Sequence, residues 1–146
     1  MFNKILFPVD LEDMDKIEPY LKAVERLIQH SGAELRLITV LPGYSMPIIS
    51  SYMPKGVVEK AMETAAQQLK DFVDKHVADD ITLTFAVREG RPHEQIVTEA
   101  QNWSADLIAL PNQVKQGLSA ELVGSVAQRV TERAKCSVLV MRPDML

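Results

Sequence analysis

The side chains able to do chemistry are few and scattered, and most sit in patterns that stop short of a catalytic motif. His93-Glu94-Gln95-Ile96-Val97 begins like the His-Glu-x-x-His of a zinc protease. The second ligand position holds Val97, so one helix face cannot offer two imidazoles to a metal. Cys136 is the single cysteine. It precedes an apolar run and reads as a small packed residue, and it has no partner for an intrachain disulfide. His30 and His76 fall near helix ends, where a solvated imidazole is the ordinary outcome. The sequence has no Gly-x-x-x-x-Gly-Lys-Ser/Thr, no Gly-x-Gly-x-x-Gly and no Gly-x-Ser-x-Gly. Two spots keep chemical promise. Asp10 follows an apolar run directly, where a carboxylate either caps the next helix or accepts from a ligand. Gly124-Ser125 opens an amphipathic segment, where a hydroxyl either caps a helix or meets an anion.

The elements that must carry these residues follow from the periodicity. The chain has 146 residues, 47% hydrophobic and 25% charged, which suits one globular domain over 1–146. Residues 4–9 form a short apolar run ending at Asp10 and read as a strand. Ile17, Tyr20, Leu21, Val24, Leu27 and Ile28 recur at helical spacing, and Gly32 sits where a helix is closed. Residues 34–40 read as a second strand. Pro42, Gly43, Pro47 and Pro54 mark a long loop, with Met46 and Met53 inside it. Val58, Met62, Ala65, Leu69, Phe72 and Val73 make a second amphipathic helix. Residues 81–87 alternate, with Ile81, Leu83, Phe85 and Val87 on one face, as in a strand at a sheet edge. Gly90-Arg91-Pro92 starts a third helix with Ile96, Val97, Ala100 and Trp103 inward. Residues 105–110 form a fourth strand, and a polar loop runs on from Pro111. Ser125 to Ala134 is a fourth helix with Val126 and Val130 inward, and residues 137–141 are the last strand. Strand and helix alternate throughout, and four of the strands are nearly continuous apolar runs. The fold class is therefore α/β, a doubly wound five-stranded parallel sheet with helices on both faces.

The net charge of -4 and pI of about 5.4 repel a phosphate backbone, so nucleic acid is not an expected partner. The longest apolar runs, such as 107–110 and 138–141, fall far short of the roughly 20 residues a bilayer requires, so no membrane insertion is expected. With one cysteine and a start that runs straight into a strand, the expected location is the cytoplasm.

Several pieces of the chain resemble the universal stress protein family, in the family's order and over essentially the whole length. They are Ile5-Leu6-Phe7-Pro8-Val9-Asp10, Gly90-Arg91-Pro92, Ala105-Asp106-Leu107-Ile108, Gly124-Ser125-Val126-Ala127-Gln128-Arg129-Val130, and the closing Ala134-Lys135-Cys136-Ser137-Val138-Leu139-Val140-Met141-Arg142. The resemblance implies strand order 3-2-1-4-5, an adenine nucleotide alpha hydrolase-like topology with its switch point between strands 1 and 4. It also implies a homodimer in which the last strands, Ser137, Val138, Leu139, Val140 and Met141, pair antiparallel.

It further implies a stress-response or regulatory module that binds ATP, ADP or AMP, with Mg accompanying ATP, at the carboxyl ends of strands 1 and 4. Transferred to this sequence, the contacts fall on Pro8, Val9 and Asp10, on Val40, on Pro111, Asn112, Val114 and Gly117, and on Gly124, Ser125 and Val126. The family's nucleotide-binding members carry Gly-x-x-Gly, then nine residues, then Gly-Ser/Thr. Here the second half stands at Gly124-Ser125, while the two earlier glycines are replaced by Pro111 and Val114. Proline has no N–H to give, and valine disfavours a positive φ. One lost charge-assisted donor costs about 1–3 kcal/mol, roughly tenfold or more in affinity. The alternative reading is a dimeric interaction protein of the same fold that has lost its nucleotide. Slow ATP hydrolysis is the most that the resemblance implies as chemistry, and no general base suggests itself in the sequence.

Overall fold

The computed structural model describes residues 1–41, 54, 56–112 and 123–142. Val114, Gly117 and the methionine-bearing segment 42–53 lie outside the described residues. The elements run β1 (Lys4–Pro8), a short 3-10 turn (Leu11–Asp13), α1 (Met14–Ser31), β2 (Glu34–Leu41), α2 (Val57–His76), β3 (Leu83–Glu89), α3 (Pro92–Trp103), β4 (Leu107–Pro111), α4 (Ser125–Arg133) and β5 (Ser137–Met141). The strands form one sheet in the order β3-β2-β1-β4-β5, and every neighbouring pair is parallel.

The period of two along each strand sorts the core into two layers. Ile5, Phe7, Leu35, Leu37, Leu107 and Ala109 face α1 and α2, where they meet Ile17, Leu21, Val24, Leu69 and Phe72. Leu6, Ile38, Ile108 and Leu110 face the opposite side, against Ile96 and Ala100 of α3 and Ala127 and Val130 of α4. The central strand β1 is therefore apolar at consecutive positions, because both of its faces are covered. Truncating Leu6, which is fully buried, would cost about 2–5 kcal/mol.

The boundaries differ from the sequence reading where polar groups decide them. Ala105 and Asp106 precede β4, and Pro111 belongs to it, in register with Met141. Asp106 works as a staple. Its carboxylate accepts the backbone N–H of Asn3 at 2.8 Å and of Lys4 at 3.1 Å, and its own N–H donates to Lys4 O. Those bonds fix the start of β1 against the start of β4. The edge position expected for residues 81–87 is correct, although β3 begins at Leu83 and Phe85 is 40% exposed. One residue expected to face inward does not. Val126 is 36% exposed, since Ala127 and Val130 take the buried stripe of α4. Leu27 of α1 is likewise exposed, beside buried Val24 and Ile28. Gly32 ends α1 as expected. Its φ of 70° lies in the left-handed region, and its N–H donates to Ile28 O at 2.7 Å.

Candidate functional site

A parallel sheet binds ligands beyond the carboxyl ends of its strands, at the place where chain order reverses. Here that place lies between β1 and β4, and the local sequence pries it open. Both strands end in proline, Pro8 and Pro111, which have no N–H for a ladder. The β1–β4 register holds two pairs, Ile5 with Leu107 and Leu6 with Ile108. By contrast β1 pairs with β2 over five residues, and β4 with β5 over five. The β1–β4 pairing therefore stops at Leu6 and Ile108, and the topology puts the sheet's switch-point crevice beyond them.

Of the predicted site residues, Pro8, Val9, Asp10, Val40, Pro111, Asn112, Gly124, Ser125 and Val126 stand at the carboxyl ends of β1, β2 and β4 or at the start of α4. Val9 is buried and its N–H donates to Ile38 O at 2.8 Å, carrying the β1–β2 pairing one residue past Pro8. Asp10 comes next and is exposed. One of its carboxylate oxygens accepts the N–H of Glu12 at 3.0 Å and so caps the 3-10 turn, which fixes the side chain at the mouth. Val40 sits near the end of β2, in register with Arg88 of β3. On the other wall Asn112 is 2% exposed. Its N–H donates to Met141 O at 2.8 Å, and its side-chain oxygen accepts the N–H of Gly124 at 2.9 Å. A single amide side chain thus ties the end of β4 to the start of α4 across the segment that separates them in sequence.

That link aims α4. Ser125 is the first residue of the helix, Gly124 stands at its N-cap in extended conformation, and no side chain caps it. The first turn carries no acidic residue, so the helix itself does not neutralise the positive end of its dipole. The amides of Ser125, Val126 and Ala127 belong to the opening turn, which has no intrahelical acceptors to offer. Ser125 and Val126 are exposed. The arrangement thus sets an acid on one lip and a positive helix end on the other, which suits a polar, anionic molecule lying across the crevice. No group of three or more His, Cys, Asp or Glu able to hold a metal occurs among the described residues.

Beside this rim lie charged groups to which the sequence reading gave no role. Glu99 of α3 is buried and receives Arg36 Nη1 at 2.7 Å on one oxygen, and Arg88 Nη2 at 2.6 Å and Nε at 3.0 Å on the other. Burial alone would raise the Glu99 pKa. The hydrogen bonds from Arg88 and Arg36, with their charges, outweigh it and hold the carboxyl below its usual 4.5. The Arg36 guanidinium also stacks on Trp103 at 4.6 Å from the ring centroid and donates to Thr84 Oγ1. An arginine inside an apolar strand, with a glutamate on the buried stripe of a helix, was the available sign of this network. His93 is 5% exposed and its Nε2 lies 3.2 Å from Arg133 Nη1. The truncated zinc motif therefore supplies an imidazole that packs between helices.

A doubly wound parallel sheet in the order β3-β2-β1-β4-β5, with an acid after β1 and a glycine-led helix after β4, defines a class of α/β modules. Within that class the chain belongs to the universal stress protein family, whose model matches residues 1–142. It is 31% identical over 147 residues to Universal stress protein MJ0531 of Methanocaldococcus jannaschii, covering 97% of this chain and 83% of that one. Among solved structures it resembles the hypothetical protein MJ0577, with a TM-score of 0.77 and 25% identity over 97% of this chain and 96% of that one. The same fold is seen in the universal stress protein from Archaeoglobus fulgidus in complex with dAMP, at a TM-score of 0.63 and 19% identity over 95% and 97% of the two chains. No helix among the described residues is long and apolar enough to cross a membrane.

Proposed function

We propose that this chain is a regulatory module of its family that binds an adenine nucleotide, ATP, ADP or AMP, in the crevice between β1 and β4. The observation that carries the reading is the bond from Gly124 N–H to Asn112 Oδ1, because it directs the uncapped start of α4 at the crevice. In this reading Asp10 accepts from the ribose hydroxyls, and the backbone at Val40 meets the adenine. Pro8, Val9 and Pro111 form the apolar walls. Ser125 and the amide of Val126 meet the phosphates, as charge-assisted donors at a helix start do, and Gly124, whose N–H is held by Asn112, borders them through its Cα. Val114 and Gly117 are proposed contacts that lie outside the described residues. Any Mg would arrive with ATP and rest on its phosphates. A relative of the same fold described in complex with dAMP supports the ligand class. The proposal extends to a cytoplasmic protein of one domain that acts by occupancy rather than by turnover, and to a homodimer through β5.

One observation favours a second reading, in which the domain kept its fold as a dimeric interaction protein. The Gly124 N–H, which a phosphate would otherwise use, is already taken by Asn112. Calorimetry on nucleotide-free protein separates the two. Binding of ATP, ADP or AMP, weakened severalfold or more by Asn112→Ala and by Ser125→Glu, is the expected result. No heat with any of the three at millimolar concentration ends the nucleotide reading and leaves the interaction protein.

A further inference from the structure

The opening of α3 places His93 in an unusual setting. The imidazole is buried between α3 and α4, and the group that faces it is a guanidinium, Arg133 Nη1, 3.2 Å from Nε2. Arginine carries donors only and stays charged at any pH a protein survives. Nε2 must therefore be the acceptor, which makes the ring neutral and puts its proton on Nδ1. Protonating the ring would set an N–H at Nε2 against the N–H of Arg133, two donors and two cations in a contact whose imidazole side is buried and whose Arg133 side is exposed. The other charges around the ring do not remove the conflict. Arg129 on α4 and Arg91 just before α3 add to the positive field, and only Glu94, with its carboxylate 3.9 Å from Nε2 and largely exposed, opposes it.

We propose that His93 and Arg133 form a pH-sensitive latch between α3 and α4, closed while the imidazole is neutral and opened by its protonation. The consequence reaches the crevice because α4 is the element that the latch holds. Arg133 is its last residue, and Gly124 and Ser125, at its other end, are the anion rim. A helix of nine residues is short enough for a displacement at one end to be felt at the other. Acidification then loosens α4, turns its amides away from the crevice and weakens the anionic ligand. This coupling rests on the nucleotide reading above; the latch itself does not. Burial first, and then Arg133 and Arg129, lower the His93 pKa below its ordinary 6.5, in agreement with the geometry.

Nitrogen-detected NMR of the full chain reads the latch directly. We expect the Nδ1–H tautomer and a titration midpoint below 6.5. Arg133→Gln should move that midpoint upward, since it removes the opposing cation. An Nε2–H tautomer, or a midpoint at or above 6.5 in the wild type, overturns the latch. The coupling is read by ATP titrations about one pH unit above and one below the His93 midpoint that NMR gives. The wild type should lose affinity severalfold more than His93→Gln, whose amide oxygen accepts from Arg133 at both pH values. Equal losses in the two proteins overturn the coupling. If neither protein binds ATP at the higher pH, the nucleotide reading fails and with it the coupling, while the NMR result still decides the latch.

Discussion

At the scale of single residues the charges in this molecule divide into those turned to solvent and those already spent on one another. Glu99 is of the second kind, with both oxygens occupied by arginines of two different strands. Removing one member of a fully buried ion pair costs about 3–5 kcal/mol. Arg88 is 42% exposed in its side chain and can turn to water, which lowers the figure here. Glu99→Gln should therefore destabilise the protein by on the order of 2 kcal/mol, read by urea unfolding near neutral pH. The pH dependence has a definite sign. The carboxyl is held below 4.5 in the folded chain, so its contribution is complete above the unfolded value and disappears as pH falls through the folded one. Below that window the variant and the wild type should converge. A gap that persists unchanged to the acid limit would mean that packing, and not charge, is what Glu99 supplies. Little of this was legible in the sequence. Arg36 stands out as a charge inside an apolar strand, but nothing local points to its partner on α3, 63 positions away in Glu99. By contrast Asp10 and Gly124-Ser125 were legible, because a residue that follows a strand or opens a helix is marked by its immediate neighbours.

At the scale of elements, helix ends carry most of the information. Gly32 announces the end of α1, and Gly90, with φ of 129°, turns the chain from β3 toward α3 while its N–H bonds Leu41 O at 3.0 Å. The end of α3 is different. Ser104 closes it in the left-handed region, φ 59° and ψ 44°, with its N–H on Ala100 O and Gln101 O. Serine gives no sign of such a turn in a sequence, and the expected strand over 105–110 consequently begins too early. A side chain in that conformation costs about 1–2 kcal/mol relative to the right-handed one, and glycine is free of the cost. Glycine also loses more backbone entropy on folding, which takes back part of the gain. Ser104→Gly should raise stability by about 0.5–1 kcal/mol, seen as a rise in unfolding midpoint with an unchanged m-value. A drop in stability would show that the serine side chain matters more at this turn than its φ. Element type follows from the periods of two and 3.6, so the alternating order was readable throughout. On α4 Val130 was legible as inward, but Ala127 was not, since Val126 competes with it for the stripe.

At the scale of the whole molecule the sheet has two edges, and they are built differently. The β3 edge carries Thr84, Arg88 and Glu89, charged and polar groups of the kind that discourage pairing with another chain. The β5 edge, Ser-Val-Leu-Val-Met, carries no charge at all. Along it Ser137 and Leu139 are exposed, Leu139 by 38%, while Met141 is buried in the core. A second copy related by a two-fold axis can pair its own β5 antiparallel to this one, and each Leu139 then finds apolar cover at the interface. If that assembly forms, Leu139→Glu places two carboxylates in it and should convert a dimer into a monomer in sedimentation at micromolar concentration. The fold should survive, since a side chain already more than a third exposed contributes little to its own core. Phe85→Glu is the matched control, because it adds the same charge on the other edge at a side chain of similar exposure and should leave the dimer intact. A wild type that sediments as a monomer removes the assembly. Dissociation by Phe85→Glu with Leu139→Glu still dimeric would move the interface to β3, where the charges of Arg88 and Glu89 would then have to be accommodated between subunits.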